Sequence, residues 1–151
     1  MKICTKTAFL MPFLSFMSIV WVQEDITPPQ LLDFIFNPTE IDITNGNESV
    51  FVTYQGTDDI SGIYRFEGLF KSPTAQQYHY VRCFGSGQLD YECLTSFTMQ
   101  QFSESGLWYM HSIGVVDLTG NERVYYQDEL IVMGIETELN VILIEDITPP
   151  Q

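Results

Sequence analysis

Five side chains in three separate stretches of the chain are of the types that bind a hard divalent cation. They are Asp25, Asp58, Asp59, Asp117 and Asn121. Calcium takes about six to eight oxygen ligands, drawn from carboxylates, amide carbonyls and backbone carbonyls. No stretch has the closely alternating acids of a dedicated calcium loop, so the fold must bring the three stretches together. The residues therefore predict a calcium site that depends on tertiary structure.

The segment 117–121, Asp-Leu-Thr-Gly-Asn, also has a purely structural interpretation. An aspartate that opens a turn accepts backbone N–H groups, and Gly120 or Asn121 can take a positive φ. The segment would then form a hairpin turn without any ligand. The sequence leaves both interpretations open.

Catalytic chemistry has little support. His79 and His111 have no recognisable serine or cysteine partner, and a nucleophile needs its base within reach. The acidic pairs at 58–59 and 128–129 are expected in a turn and in solvent respectively. We predict that the protein is not an enzyme and requires no cofactor.

The charge balance restricts the partners. Twenty acidic residues against six Lys and Arg give a net charge of −14, which repels phosphate backbones and attracts divalent cations. We therefore predict that nucleic acid is not a partner. The length of 151 residues, 45% of them hydrophobic, predicts one domain with one core.

Residues 1–23 have the pattern of a signal peptide. Lys2 and Lys6 precede an uncharged apolar run at 8–22, which is short for a membrane span. No small-residue cleavage motif follows, so an uncleaved anchor and a buried element of the domain are the alternatives. We predict a secreted or cell-surface protein whose mature domain has no membrane span.

Cys83 and Cys93 predict a disulfide in an exported protein. Two strand residues facing each other across a hairpin have Cα atoms close enough for the bond, about 4.4 to 6.8 Å apart. Gly85, Ser86 and Gly87 are predicted to form the turn. Two reduced core thiols and half of a metal site are the alternatives.

The apolar pattern of the remaining chain has period two, which indicates β-strands. Strands are predicted at 31–36, 48–55, 62–70, 77–84, 93–99, 107–116, 122–127 and 140–144, with a helical turn at 128–133. The predicted core contains Phe51 or Val52, Phe66, Trp108 and Val116. Many short strands separated by turns are typical of a sandwich or barrel.

An ordered set of motifs resembles the bacterial immunoglobulin-like repeats of large secreted and cell-surface proteins. The set is D-x-T-P-P at 25–29, DDISG at 58–62, KSP at 71–73, GLW at 106–108 and DLTGN at 117–121. The resemblance covers about residues 24–145. It implies an all-β, immunoglobulin-like Greek-key sandwich of about seven to nine antiparallel strands, used in tandem outside the cell. In that strand order the five candidate calcium ligands would meet at one pole.

The segment EDITPPQ occurs at 24–30 and again at 145–151, 121 residues later. Repetition at one domain length is typical of an array. We therefore expect a domain at 24–145, with 146–151 as the linker to a following repeat, and the two copies at opposite ends. Strands 31–36 and 140–144 are expected at outer positions. The predicted function is a non-enzymatic spacer or adhesion repeat whose partners are neighbouring repeats and a cell-surface protein or glycan.

A carbohydrate-binding module appended to a secreted enzyme is the alternative function. Tyr78, Tyr80 and Arg82 alternate to one face of a predicted strand. Exposed aromatic rings on a sheet can stack against sugar rings.

Overall fold

The computed structural model describes residues 23–144. The predicted signal peptide, apart from Gln23, and the predicted linker at 146–151 lie outside the described residues. The expected position of the second EDITPPQ copy lies outside them as well.

The described residues form nine strands and one short helix. In chain order they are β1 (Gln30–Asn37), β2 (Glu40–Asp42), β3 (Glu48–Thr57), β4 (Ile63–Lys71), β5 (Tyr78–Gln88), β6 (Asp90–Met99), β7 (Gly106–Asp117), β8 (Glu122–Tyr126), α1 (Gln127–Val132) and β9 (Glu138–Ile142). All eight predicted strands are present, and α1 takes the place of the predicted helical turn. The three-residue strand β2 was not predicted, because Glu-Ile-Asp is too short to show a period.

The strands form two sheets that pack face to face. One sheet has the order β1-β3-β6, and the other has the order β2-β9-β7-β4-β5 with β8 also paired to β7. This arrangement confirms the all-β, immunoglobulin-like Greek-key sandwich. The pairing of β2 with β9 is parallel, and the other strand pairs among the described residues are antiparallel.

The chain changes sheets between β1 and β2, at a cis peptide bond between Asn37 and Pro38. β1 is an edge strand of the smaller sheet, as expected for residues 31–36, whereas β9 is not an edge strand of the larger sheet. The prediction that residues 140–144 lie on an outer strand is wrong, because β2 covers the outer side of β9.

The core between the sheets is rich in aromatic side chains. Val52, Phe66 and Trp108 are buried as predicted, whereas Phe51 is 64% exposed on the outer face of β3. The Tyr54 ring stacks on Phe66 with centroids 5.1 Å apart. The core therefore takes contributions from the inner faces of both sheets.

Val116 is not in the core, contrary to the prediction. Phe70 pairs with Met110 while Leu69 pairs with Ser112, so β7 has one extra residue, His111, in a bulge. A bulge shifts the alternation of side chains by one residue. The inward positions are therefore Trp108 and Met110 before the bulge, and Ile113 and Val115 after it.

Cys83 and Cys93 are bonded in the structure, with Cα atoms 6.2 Å apart. Cys83 lies on β5 and Cys93 on β6, which belong to different sheets. The disulfide therefore joins the two sheets, and the predicted pairing across a hydrogen-bonded hairpin is wrong.

The predicted turn at 85–87 is also wrong, because these residues lie inside β5. Gly85 allows a close approach of two backbones, because a Cβ atom added to it would lie 2.4 Å from the carbonyl oxygen of Ile63. A Cβ atom added to Gly87 would lie 2.5 Å from the Leu118 side chain.

Replacing Val115 and Val116 one at a time tests the bulge. Val115→Ala should lower the free energy of unfolding by about 2 to 3 kcal/mol, because it removes buried methyl groups and leaves a cavity. Val116→Ala should cost less than about 1 kcal/mol, since Val116 is partly exposed. Urea unfolding of both variants measures the difference, and equal costs would contradict the register.

The disulfide can be tested on protein secreted into an oxidising compartment. Mass spectrometry without reduction should find Cys83 and Cys93 bonded, and reduction should lower the free energy of unfolding by about 2.5 to 3 kcal/mol through loss of the closed loop. Two free thiols in the secreted protein would reject the bond.

Candidate metal centre

Three separate segments meet at one end of the sandwich. β1 begins where β3 ends, because Gln30 pairs with Thr57, and β7 ends where β4 begins, because Ile63 pairs with Asp117. The segment that precedes β1, the β3–β4 loop and the β7–β8 turn therefore share this end, which we call the aspartate pole.

The pole brings together three of the five predicted ligands. One carboxylate oxygen from each of Asp25, Asp58 and Asp117 lies within 4.8 Å of the other two. The three residues are only 8%, 8% and 1% exposed, respectively. Three carboxylates in one buried cluster repel one another strongly unless protons or cations compensate them.

Asp117 organises the β7–β8 turn. Its Oδ1 accepts the backbone N–H groups of Thr119, Gly120 and Asn121 at 2.6 to 2.8 Å and the Thr119 hydroxyl at 2.9 Å. Burial opposes ionisation of this carboxyl, but hydrogen bonds from Asn121, Thr119 and Gly120 outweigh it and lower the pKa of Asp117 below its ordinary value. The structural interpretation of 117–121 as a turn is confirmed, and the turn keeps a negative charge at the pole.

Asp25 attaches the N-terminal segment to the domain. Its Oδ2 accepts the Ser61 N–H at 2.9 Å, and its Oδ1 accepts the Thr27 N–H at 3.1 Å. Pro29 is also buried. Within the first EDITPPQ segment, Asp25 and Pro29 are therefore the side chains that contact the domain most closely.

Asp58 has one satisfied and one unsatisfied oxygen. Its Oδ2 accepts the N–H groups of Gly62 at 2.6 Å and Ile60 at 3.3 Å. Its Oδ1 is buried and accepts no hydrogen bond from the described residues, and the buried Ser61 hydroxyl likewise has no partner there. Buried polar atoms are normally paired, so these two oxygens have spare capacity for a positively charged group.

Asn121 lies at the pole as predicted, but it acts through its amide nitrogen. Nδ2 donates to the backbone oxygen of Asp25 at 3.1 Å and to Asp117 Oδ2 at 2.7 Å. Asn121 therefore joins the N-terminal segment to the β7–β8 turn.

Asp59 is not part of the cluster. It is exposed and borders a shallow cavity of about 160 Å³ together with Thr27, Pro28 and Asp58. Adjacent loop residues project differently, and the sequence does not tell which of the two aspartates turns inward.

Ser61 is a candidate ligand that the sequence interpretation missed. Its position between Asp58 and Gly62 in the segment DDISG predicts only a turn. A hydroxyl that follows an acidic pair in a loop is a weak sign of a ligand, because serine is common in turns.

Basic side chains do not compensate the cluster. The ion pairs found among residues 23–144 are Arg82 with Glu67 and Arg123 with Glu129. Neither includes an aspartate of the pole, so the cluster lacks a protein cation within the part of the chain that the structure describes.

The histidines lie elsewhere. His79 packs against Phe97 and Trp108, with ring centroids 5.4 and 5.5 Å apart, and burial lowers its pKa. His111 lies between Tyr109 and Tyr126 on the outer face of the larger sheet. Both therefore have aromatic rings as neighbours.

Comparison with known proteins gives no relative: no family model matches the chain, and no curated protein matches it in sequence. Among the described residues, no helix has the length and hydrophobicity that a membrane crossing requires.

Proposed function

We propose that this chain is a non-enzymatic, exported spacer module of a tandem immunoglobulin-like array, and that its aspartate pole binds calcium. The observation that carries the proposal is the buried cluster of Asp25, Asp58 and Asp117, which come from the N-terminal segment and from two loops of the domain.

The donor set suits calcium. Oxygens bound to one calcium ion at about 2.3 to 2.6 Å can lie up to about 5 Å apart, and the three carboxylates meet this limit. The unpaired oxygens of Asp58 and Ser61 add capacity, and water completes the shell. Zinc prefers nitrogen and sulfur ligands, whereas this cluster consists of carboxylates.

The origin of the ligands gives the ion a mechanical role. Asp25 belongs to the N-terminal segment, whereas Asp58 and Asp117 belong to the domain. An ion held by all three aspartates ties the N-terminal segment to the domain. It also fixes the direction in which this segment extends from the domain. Pro28 and Pro29 restrict the same segment, because proline fixes φ and favours extended geometry.

The spacer role is supported by the repeated segment. Asp25 and Pro29, which contact the domain, have identical counterparts at 146 and 150 in the second EDITPPQ copy. A following repeat could therefore dock the second copy as this domain docks the first. The bond between Cys83 and Cys93 supports an oxidising location outside the cytoplasm.

Calcium titration of the full chain tests the ion. In the wild type, calcium at about one hundred times its Kd should add about 2.7 kcal/mol to the free energy of unfolding, which raises Tm by about 10 °C. Asp58→Asn should abolish this gain. Without metal the same variant should be more stable than the wild type, because it removes one of three repelling charges and places an amide donor beside two carboxylates.

Asp59→Asn is the matched control, since it removes the neighbouring exposed charge. This variant should keep the full response to calcium. A flat response in the wild type, or equal losses in Asp58→Asn and Asp59→Asn, would reject the site.

A two-unit protein tests the spacer role separately. Residues 31–144 are placed directly after Gln151, so that the second EDITPPQ copy becomes the joint. Small-angle scattering should show an extended particle whose inter-unit flexibility falls when calcium is added. Asp146→Asn should remove that effect. If calcium stabilises the single domain but leaves the joint equally flexible, the site stands and the spacer role fails.

A further inference from the structure

The outer face of the larger sheet has a cross-strand row with aromatic residues at both ends. Tyr80 on β5 pairs with Leu69 on β4, Leu69 pairs with Ser112 on β7, and Ser112 pairs with Tyr126 on β8. Strands are spaced by about 4.8 Å, so the two tyrosines stand about 14 Å apart. We call this row the aromatic trough.

The walls of the trough are exposed aromatic rings with aromatic support. Tyr80 is 47% and Tyr126 is 56% exposed. The Tyr78 ring lies 5.7 Å from Tyr80, and the His111 ring lies 6.0 Å from Tyr126. The floor is lower at Leu69 and Ser112, which are smaller. It ends along β7 at Gly114, where a Cβ atom would lie 3.2 Å from Glu122 Oε1. The shape suits a flat, ring-shaped ligand.

The outer face of β4 and β5 carries most of the basic residues that the structure describes, alongside the carboxylates of Glu67, Glu122 and Glu138. Residues 23–144 contain four Lys and Arg residues, and three of them, Arg65, Lys71 and Arg82, project from the outer face of β4 and β5. Arg82 lies over the Tyr80 ring at 5.0 Å and forms an ion pair with Glu67. Arg65 and Lys71 have no carboxylate partner among the described residues.

Lys71 lies next to the trough and forms no ion pair among residues 23–144. It stands two residues from Leu69 on the same face of β4, about 7 Å along the strand. Its neighbours across the strands are Tyr78 and Tyr109. In a chain with twenty acidic residues, a lysine between two tyrosines without a carboxylate partner is complementary to an acidic ligand.

We propose that the aromatic trough binds a saccharide that carries a carboxylate, such as a glycan containing hexuronic or sialic acid. The apolar faces of the sugar rings stack on Tyr80 and Tyr126. The carboxylate lies at Lys71, and the Glu67–Arg82 pair and the Ser112 hydroxyl bind sugar hydroxyls.

The charge distribution favours a sparsely charged saccharide over other anions. A chain of net charge −14 repels densely charged polymers such as nucleic acids. Salt screens distant charges beyond about 8 Å at physiological ionic strength, so a single carboxylate responds mainly to the nearby lysine. A peptide of acidic residues alone shares the charge but offers no ring face to the two tyrosines.

Binding to the full chain is measured by calorimetry with two forms of one oligosaccharide, the free hexuronic acid and its methyl ester. The acid should bind about threefold more tightly than the ester, the effect of one exposed ion pair. Tyr80→Ala and Tyr126→Ala should each weaken binding about fivefold through lost stacking. Lys71→Gln should bind acid and ester equally.

Phe51→Ala is the matched control, because Phe51 is an exposed aromatic residue on the outer face of the other sheet. It should leave the affinity unchanged, because Phe51 lies outside the trough. Thermal unfolding confirms that each variant is folded.

Three results would overturn the proposal. The first is absence of binding to both saccharide forms. The second is an equal loss in Phe51→Ala and Tyr80→Ala. The third is equal or tighter binding of polyglutamate or a single-stranded oligonucleotide, which would assign the face to a peptide or a nucleic acid.

Discussion

The hydrogen bond that crosses the sandwich from Tyr54 to Val81 is the constraint on which the two-sheet arrangement depends. Tyr54 lies on β3 in the smaller sheet, and its hydroxyl donates to the Val81 backbone oxygen on β5 in the larger sheet at 2.8 Å. A Cβ atom on Gly68 would lie 2.6 Å from this hydroxyl, so only glycine leaves room for it. Burial raises the pKa of Tyr54, which keeps the donor protonated, and the stacked ring of Phe66 holds the side chain in place. This contact holds the two sheets at one distance and in one register at the Tyr54–Val81 position.

That register decides what the sandwich presents at its surfaces. With β3, β4 and β7 aligned by the core, their ends place Asp58 and Asp117 beside the segment that carries Asp25. Burying three carboxylates together costs free energy, and the surrounding N–H donors offset only part of the cost because Asp58 Oδ1 has no donor among the described residues. The same alignment brings Tyr80 and Tyr126 into one row on the outer face. An acidic pole and a face with three of the four basic residues among 23–144 are therefore consequences of a single strand arrangement.

The pattern of residues along the chain was enough to predict most of the fold. Apolar and polar residues alternate along half-buried strands, and this alternation located eight strands. Turn residues marked most of their ends. The bulge at His111 could not be predicted. An alternating pattern shows which residues of a strand face inward, but it does not show where the strand carries an extra residue without a partner on the neighbouring strand. The same holds for Gly85, whose type suggests a turn although its role is to allow close approach of two backbones.

For the candidate site, the sequence by itself identified the oxygen-bearing residue types that suit a cation. Only the tertiary structure decided which of those residues meet. Asp25, Asp58, Asp59, Asp117 and Asn121 are oxygen-bearing residues at turns, and this can be recognised without coordinates. Which of them meet depends on side-chain direction and on pairing between segments 36 or more residues apart. The folded chain turns Asp58 inward and Asp59 outward, adds Ser61, and directs the Asn121 nitrogen toward the Asp117 carboxylate. The disulfide follows the same rule: two cysteines predict a bond in an exported chain, but only the packing of β5 against β6 makes it a link between sheets.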